Sequence, residues 1–150
     1  MRTLITALSS VILVACASTS SPPARITLGA PKHKTERGSA IAGYTSIEYP
    51  VHLTNTSSRS VWVYGQLREW PFSRLYIRPN NSARWVDNTV SMCGLGADFH
   101  ELPPGASIHF SEFASGYDVG QQMRVELPIY LSPNYTKKPR TIVSDTVLIR

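Results

Sequence analysis

The chain has 150 residues, with 15 lysines and arginines against 10 aspartates and glutamates and a formal net charge of +5. A chain of this length suits one domain and is long enough to bury a real hydrophobic core. The basic residues are spread out and are dense only at 32–34 (KHK) and 137–140 (KKPR). This distribution makes nucleic acid a poor candidate partner and favours, at most, a weak attraction to anionic surfaces.

An export signal is the first feature in chain order. Residues 1–3 are short and basic, and residues 4–15 (LITALSSVILVA) are mostly apolar. A secretory signal needs about 7–15 apolar residues, whereas a membrane-spanning helix needs about 20. We therefore expect residues 1–15 to be a cleaved signal peptide that does not span the bilayer.

The end of this signal carries a lipidation motif. Leu13-Val14-Ala15-Cys16 resembles the lipobox of bacterial lipoproteins, over residues 1–16 of the chain. The resemblance implies that Cys16 becomes the first residue and carries three acyl chains, an anchor that would effectively not dissociate. By the same resemblance, Ala17 in place of aspartate directs the protein to the outer membrane. An ordinary cleaved signal with an incidental Cys16 is the alternative.

A short tether separates the anchor from the folded domain. Residues 17–24 (ASTSSPPA) are small and polar and cannot bury apolar surface, so 16–24 is predicted to be the lipidated cysteine and its tether. The folded domain is then 25–150, and its segment 30–43 is expected to be a loop or a loose edge. With Cys16 acylated, Cys93 is the only thiol left, so no intramolecular disulfide can support the domain.

The domain consists of short runs in which apolar and polar residues alternate. We predict strands around residues 49–54, 60–66, 74–78, 84–92, 107–111, 123–131 and 141–149, and turns at 55–58, 79–82 and 102–105. Inward rows are expected at Tyr49, Val51 and Leu53, at Leu75 and Ile77, at Ile108 and Phe110, at every second residue from Met123 to Leu131, and at Val143, Val147 and Ile149.

Seven or eight strands at this spacing predict an all-β fold, an antiparallel immunoglobulin-like β-sandwich. The turn Asn55-Thr56-Ser57, the run VWVYG and the run PPGAS before a strand resemble many bacterial immunoglobulin-like domains, over roughly residues 45–150. The paired cysteines of true immunoglobulin domains are absent. A small closed barrel is the alternative.

Cys93 and the histidines are the candidates for chemistry. A site built from Cys93, His100 and His109 could hold copper or zinc, because thiolate and imidazole suit these metals. However, the ligand spacing of blue-copper proteins is missing, and no hydrolase signature surrounds Cys93. The sequence also lacks a Gly-x-Ser-x-Gly elbow and a paired-carboxylate motif. We therefore predict no catalytic residue, no metal and no cofactor.

The region around residues 62–84 is the best candidate for binding, because it is rich in Trp, Tyr and Arg, the residue types that dominate interfaces. The predicted partner-binding residues are Arg68, Trp70, Phe72, Arg74, Tyr76 and Arg78. The alternative is that Trp62, Trp70 and Trp85 fill the sandwich core, with arginines stacked over them.

Together these features predict a non-enzymatic lipoprotein of the bacterial outer membrane. It would be held to the membrane through Cys16 and would bind a protein partner in the envelope, as an inhibitor or immunity protein or as an accessory part of a surface assembly. A periplasmic copper- or zinc-handling protein is the alternative.

Overall fold

The computed structural model describes residues 21–35, 45–89, 96–134 and 136–150. A single-turn 3₁₀ helix spans Gly116–Asp118. The strands of the described residues are β1 (Ala24–Leu28), β2 (Lys32–Thr35), β3 (Thr45–Asn55), β4 (Val61–Leu67), β5 (Trp70–Pro71), β6 (Arg74–Arg78), β7 (Val86–Asp87), β8 (Asp98–Leu102), β9 (Ser107–Ser115), β10 (Gln122–Tyr130), β11 (Arg140–Val143) and β12 (Val147–Leu148).

The strands form two antiparallel sheets, so the predicted all-β sandwich is confirmed and the closed alternative is wrong. In the four-stranded sheet, β3 pairs with β9 along one side and with β1 and β2 in turn along the other. In the eight-stranded sheet, β10 pairs with β4, β6, β11 and β12. That sheet continues from β4 to β5 and β8, and from β6 to β7.

The core lies between the sheets and follows from the alternation of the longest strands. Successive side chains of a strand point to opposite faces, so every second residue can enter one core. The predicted inward rows of β3, β6 and β10 are buried: Tyr49, Val51, Leu53, Leu75, Ile77, Met123, Val125, Leu127 and Ile129. Each such aliphatic side chain contributes about 1.5–3 kcal/mol through burial.

Several predicted boundaries are wrong at the edges of the sheets. β2 occupies Lys32–Thr35, where a loop or a loose edge was expected, and it is an edge strand, because a polar strand can pair with β3 without adding to the core. β1 begins at Ala24, which is fully buried, so the tether ends before that residue. The described residues form twelve strands and not seven or eight, because β1, β2, β5 and β8 were not among the predicted strands and the one at 141–149 is divided in two.

The predicted strand near the C-terminus also differs from the structure. The expected strand at 141–149 is two strands, and Val143 is 46% exposed while Ile142 is buried. Ser144 explains the break, because its hydroxyl accepts a hydrogen bond from the Val125 backbone N–H at 2.9 Å. Leu131 lies beyond the end of β10 and is 50% exposed, so it does not belong to the inward row.

The proposed signal and thiol fall outside these ranges. Residues 1–15, Cys16 and Cys93 lie outside the described residues, as does the end of the predicted strand at 84–92. Within that strand the structure places only Val86–Asp87 in β7.

Candidate binding surface

A tight hairpin joins β4 to β5. Leu67 is paired with Trp70, and Arg68 and Glu69 form the turn between them. Gly65 makes this turn possible, because a Cβ at that position would lie only 2.6 Å from the Cα of Pro71. The backbones of the two strands therefore approach more closely than any other residue at position 65 would allow.

The tip of this hairpin, residues 67–70, is exposed and carries two large apolar side chains. Leu67 is 54% exposed and Trp70 is 55% exposed, and the two turn residues between them are exposed as well. Large aromatic side chains are normally much more buried in a monomer. The hairpin tip thus exposes a paired Leu67 and Trp70, with Arg68 and Glu69 in the turn between them.

A second cluster lies on the outer face of β6 and β10. The outward residues of β6 are paired directly with those of β10: Arg74 with Glu126, Tyr76 with Arg124, and Arg78 with Gln122. Trp85 joins them, with the Arg124 guanidinium 4.4 Å and the Arg78 guanidinium 5.1 Å from its ring centroid. We call these seven residues the arginine platform.

The charges of the arginine platform are partly compensated. Arg124 Nη2 lies 2.6 Å from Glu126 Oε1, and Arg78 donates a hydrogen bond to the side-chain oxygen of Gln122. A hydrogen bond with Tyr76 raises the pKa of Arg74, with a further contribution from Asp87. In the described part of the chain, the buried Arg124 Nε has no hydrogen-bond partner. Planar guanidinium groups held over aromatic rings can bind a carboxylate through two parallel hydrogen bonds.

The structure divides the six predicted binding residues into two groups. Arg68 and Trp70 belong to the hairpin tip, whereas Arg74, Tyr76 and Arg78 belong to the arginine platform. Phe72 lies between the groups and is half-buried, with its ring 5.5 Å from that of Tyr64.

The alternative of a tryptophan-filled core is wrong. Trp62 and Trp85 are half-buried and Trp70 is largely exposed, while the core is aliphatic apart from Tyr49. The expected stacking of arginine over tryptophan does occur, but on the outer face, at Trp85.

Leu67 and Arg124 were not among the predicted binding residues, and Trp85 was considered only as a core residue in the alternative interpretation. The alternation of β10 placed Arg124 outward, which was a usable signal. β10 pairs with β6, and this pairing brings Arg124 beside Tyr76. Because the two strands are about 50 residues apart in the sequence, no local sequence pattern predicts their pairing.

The two histidines of the alternative copper or zinc site lie in different sheets. His100 lies in β8 of the eight-stranded sheet, with Nε2 3.1 Å from the backbone oxygen of Gly65. His109 lies on the outer face of the other sheet, with its ring centroid 4.4 Å from that of His52. Cys93 is outside the described ranges, within which no three His, Cys, Asp or Glu residues form a metal-binding group.

No helix within the described ranges is long and apolar enough to cross a bilayer.

The chain is similar in fold to solved structures and matches no family model and no curated protein. A structure of the Northeast Structural Genomics Consortium target SoR45 superposes with a TM-score of 0.55 at 9% identity, covering 85% of this chain and 86% of that one. The putative ApaA protein from Bordetella pertussis superposes with a TM-score of 0.52 at 18% identity, covering 85% of this chain and 94% of that one. At these identities the likeness shows the fold alone.

Proposed function

We propose that this chain is a lipid-anchored envelope protein whose β-sandwich binds a protein partner and catalyses no reaction. The observation that carries the proposal is the hairpin tip, where Leu67 and Trp70 are both more than half exposed beside Arg68. Tryptophan and arginine are the residue types most enriched among those that dominate binding energy. The lipobox-like Leu13-Val14-Ala15-Cys16 supports the membrane attachment.

The arginine platform suits the polar part of such an interface. It offers guanidinium groups that are already stacked and hydrogen-bonded, so little side-chain freedom is lost when a partner binds. An acidic side chain on the partner could bind Arg74 or Arg124, while the hairpin tip buries Trp70 in an apolar pocket. An inhibitor or immunity protein, or an accessory part of a surface assembly, would use its surface in this way.

The first experiment uses a photo-reactive phenylalanine analogue in living cells. Placed at Trp70, it should give a protein adduct of one defined mass on irradiation. Placed at Phe113, which is 48% exposed on the other sheet, it should not. The absence of an adduct at Trp70, or the same adduct from both positions, would contradict the proposed surface.

The second experiment measures affinity once the adduct has been identified. The double variant Arg68→Ala/Trp70→Ala should weaken binding at least roughly thirtyfold, the effect of losing one dominant interface residue. The matched variant Phe113→Ala should bind as the wild type does. Since these side chains are exposed, all variants should keep the wild-type thermal midpoint within a few degrees.

A further inference from the structure

One end of the sandwich holds the start of the described chain. The backbone oxygen of Pro22 accepts a hydrogen bond from the Thr56 hydroxyl at 3.0 Å, and that of Pro23 accepts one from the Thr56 N–H at 3.1 Å. Ala24, the first residue of β1, is paired with Asn55, the last residue of β3. Residues 22–24 are therefore fixed at the end of the sandwich where β3 ends.

The end of β10 and the start of β11 lie at this same end. β4 begins here after the turn at 56–60, and its Trp62 is paired with Tyr130, the last residue of β10. β11 then begins with Arg140 opposite Ile129. Three connections therefore lie at the same end as Pro22: the one before β4, the one between β8 and β9, and the one between β10 and β11. We call this end of the sandwich the anchor end.

The anchor end is basic. Arg59, Lys137, Lys138 and Arg140 are all exposed there, and none of the four forms an ion pair with any described residue. Two acidic residues lie near this end: Glu101 is opposite Trp62 in β8, and Asp145 lines the same pocket as Pro22. Leu131, half-exposed just after β10, adds an apolar side chain to the same end.

The short length of chain between Cys16 and Pro22 limits how far the anchor end can lie from Cys16. Pro22 is the sixth residue after Cys16, and a chain of that length spans at most about 20 Å when fully extended. If Cys16 is acylated, the anchor end is the part of the domain that the chain holds nearest to the lipid. Charges act over about 8 Å at physiological salt, so direct apposition is needed for them to contribute.

We infer that the anchor end binds anionic phospholipid headgroups, through Arg59, Lys137, Lys138 and Arg140. This inference rests on the proposed acylation of Cys16. Each basic residue held at an anionic surface strengthens attachment roughly fivefold. β4 runs away from this end and rises about 20 Å over its length, so the hairpin tip faces away from the membrane.

The experiment uses the lipidated protein extracted from its host membrane and reconstituted into vesicles of phosphatidylcholine, with or without phosphatidylglycerol. Lysines are labelled with a water-soluble amine reagent and quantified by mass spectrometry. Labelling of Lys137 and Lys138 should fall severalfold on the anionic vesicles and recover in high salt. Lys32, exposed in β2 at the other end of the sandwich, is the internal control and should be labelled equally on both.

A charge variant tests the same surface while keeping the labelled lysines. Arg59→Gln/Arg140→Gln should reduce the protection of Lys137 and Lys138 on anionic vesicles. The matched variant Arg84→Gln/Arg150→Gln removes two exposed arginines elsewhere and should leave it unchanged.

The outcomes separate this inference from the anchor itself. Protein that floats with both kinds of vesicle but shows equal labelling of Lys137 and Lys138 would overturn the headgroup site and leave the anchor standing. Protein that does not float with phosphatidylcholine vesicles has no lipid anchor, and both proposals would then be wrong.

Discussion

Asn55 joins the two sheets at the anchor end. Its side-chain nitrogen donates to the backbone oxygens of Leu102 and Arg59, each at 2.8 Å. Its side-chain oxygen accepts from the Ser57 N–H at 2.9 Å and from the Ser57 hydroxyl at 2.8 Å. This buried amide has all its hydrogen-bonding capacity satisfied, and it ties the end of β3 to the end of β8.

Removing this amide should destabilise the domain more than its size suggests. Asn55→Ala removes the donor to the carbonyl oxygens of Leu102 and Arg59, of which the Leu102 bond is buried, at a cost of about 2–3 kcal/mol in unfolding free energy. Asn55→Asp should cost at least as much, because its carboxylate would face those carbonyls. Urea denaturation measures the change, with Asn80→Ala, in an exposed turn, as the control. A midpoint for Asn55→Ala equal to that of the control would contradict this role.

Glu112 is an acidic residue at a position of β9 where the alternation of inward and outward side chains predicts a core residue. It is paired with the buried Tyr49, in the inward row of β9 that also contains Ile108 and Ala114. Burial raises the pKa of Glu112, and a hydrogen bond from the Ser73 hydroxyl lowers it in part. The folded protein therefore holds this proton more tightly than the unfolded chain does.

This raised pKa makes stability fall as pH rises. The contribution of Glu112 is fully present below its ordinary pKa of 4.5 and is lost as pH rises through the higher folded value. Glu112→Gln should therefore have a higher urea midpoint than the wild type at pH 7, and the difference should disappear near pH 4. A variant no more stable than the wild type at pH 7 would contradict the burial of this carboxylate.

Glu48 provides the matched control on the outer face of the same sheet. Hydrogen bonds from Lys34 and Ser111 lower the pKa of Glu48, so its contribution is present above 4.5 and is lost as pH falls. Glu48→Gln should be less stable than the wild type at pH 7 and should approach it in acid, the reverse of the Glu112 result.

At the scale of elements, the β4–β5 hairpin depends on Gly65. Gly65→Ala should push β5 away from β4, because the new Cβ would overlap the backbone of Trp70 and Pro71. The hydrogen bond from the Phe72 N–H to the Tyr64 oxygen, 2.8 Å long, should be lost with it. Hydrogen exchange at Phe72 measures this directly. Wild-type protection of that amide in the variant would show that the hairpin does not need the close approach.

The strands that could be predicted from sequence are those in which apolar and polar residues alternate, because this alternation shows which side chains point into the core. β3 and β10 are long and central, so their inward rows matched the pattern. The break between β11 and β12 could not be predicted, because a Ser144 hydroxyl takes part in the hydrogen bonding of β10 there. For β2 the sequence left a loop and a loose edge open, because an edge strand needs no apolar residues.

The candidate site was predictable in composition but not in arrangement. The stretch around Trp70 and Arg74 was identified from its residue types, yet the fold places these two residues in separate clusters. The arginine platform depends on Arg124, which comes from β10 and reaches Tyr76 only through long-range strand pairing. The same long-range topology separates His100 from His109, which no spacing in the sequence could reveal.

At the scale of the whole molecule, the anchor and the binding surface would lie at opposite ends of the sandwich. β4 begins beside Pro22, where the chain from Cys16 arrives, and ends at the hairpin tip. A protein held in this way presents Trp70 to partners in the aqueous compartment and its basic end to the lipid. This arrangement requires Cys16 to be acylated.

The intact mass of the protein purified from its host membranes tests that requirement most directly. We expect a chain that begins at Cys16, with the added mass of a diacylglyceryl group and one further acyl chain, and its loss in a Cys16→Ser variant. A product that still contains residues 1–15, or one with an unmodified thiol at Cys16, would contradict the account.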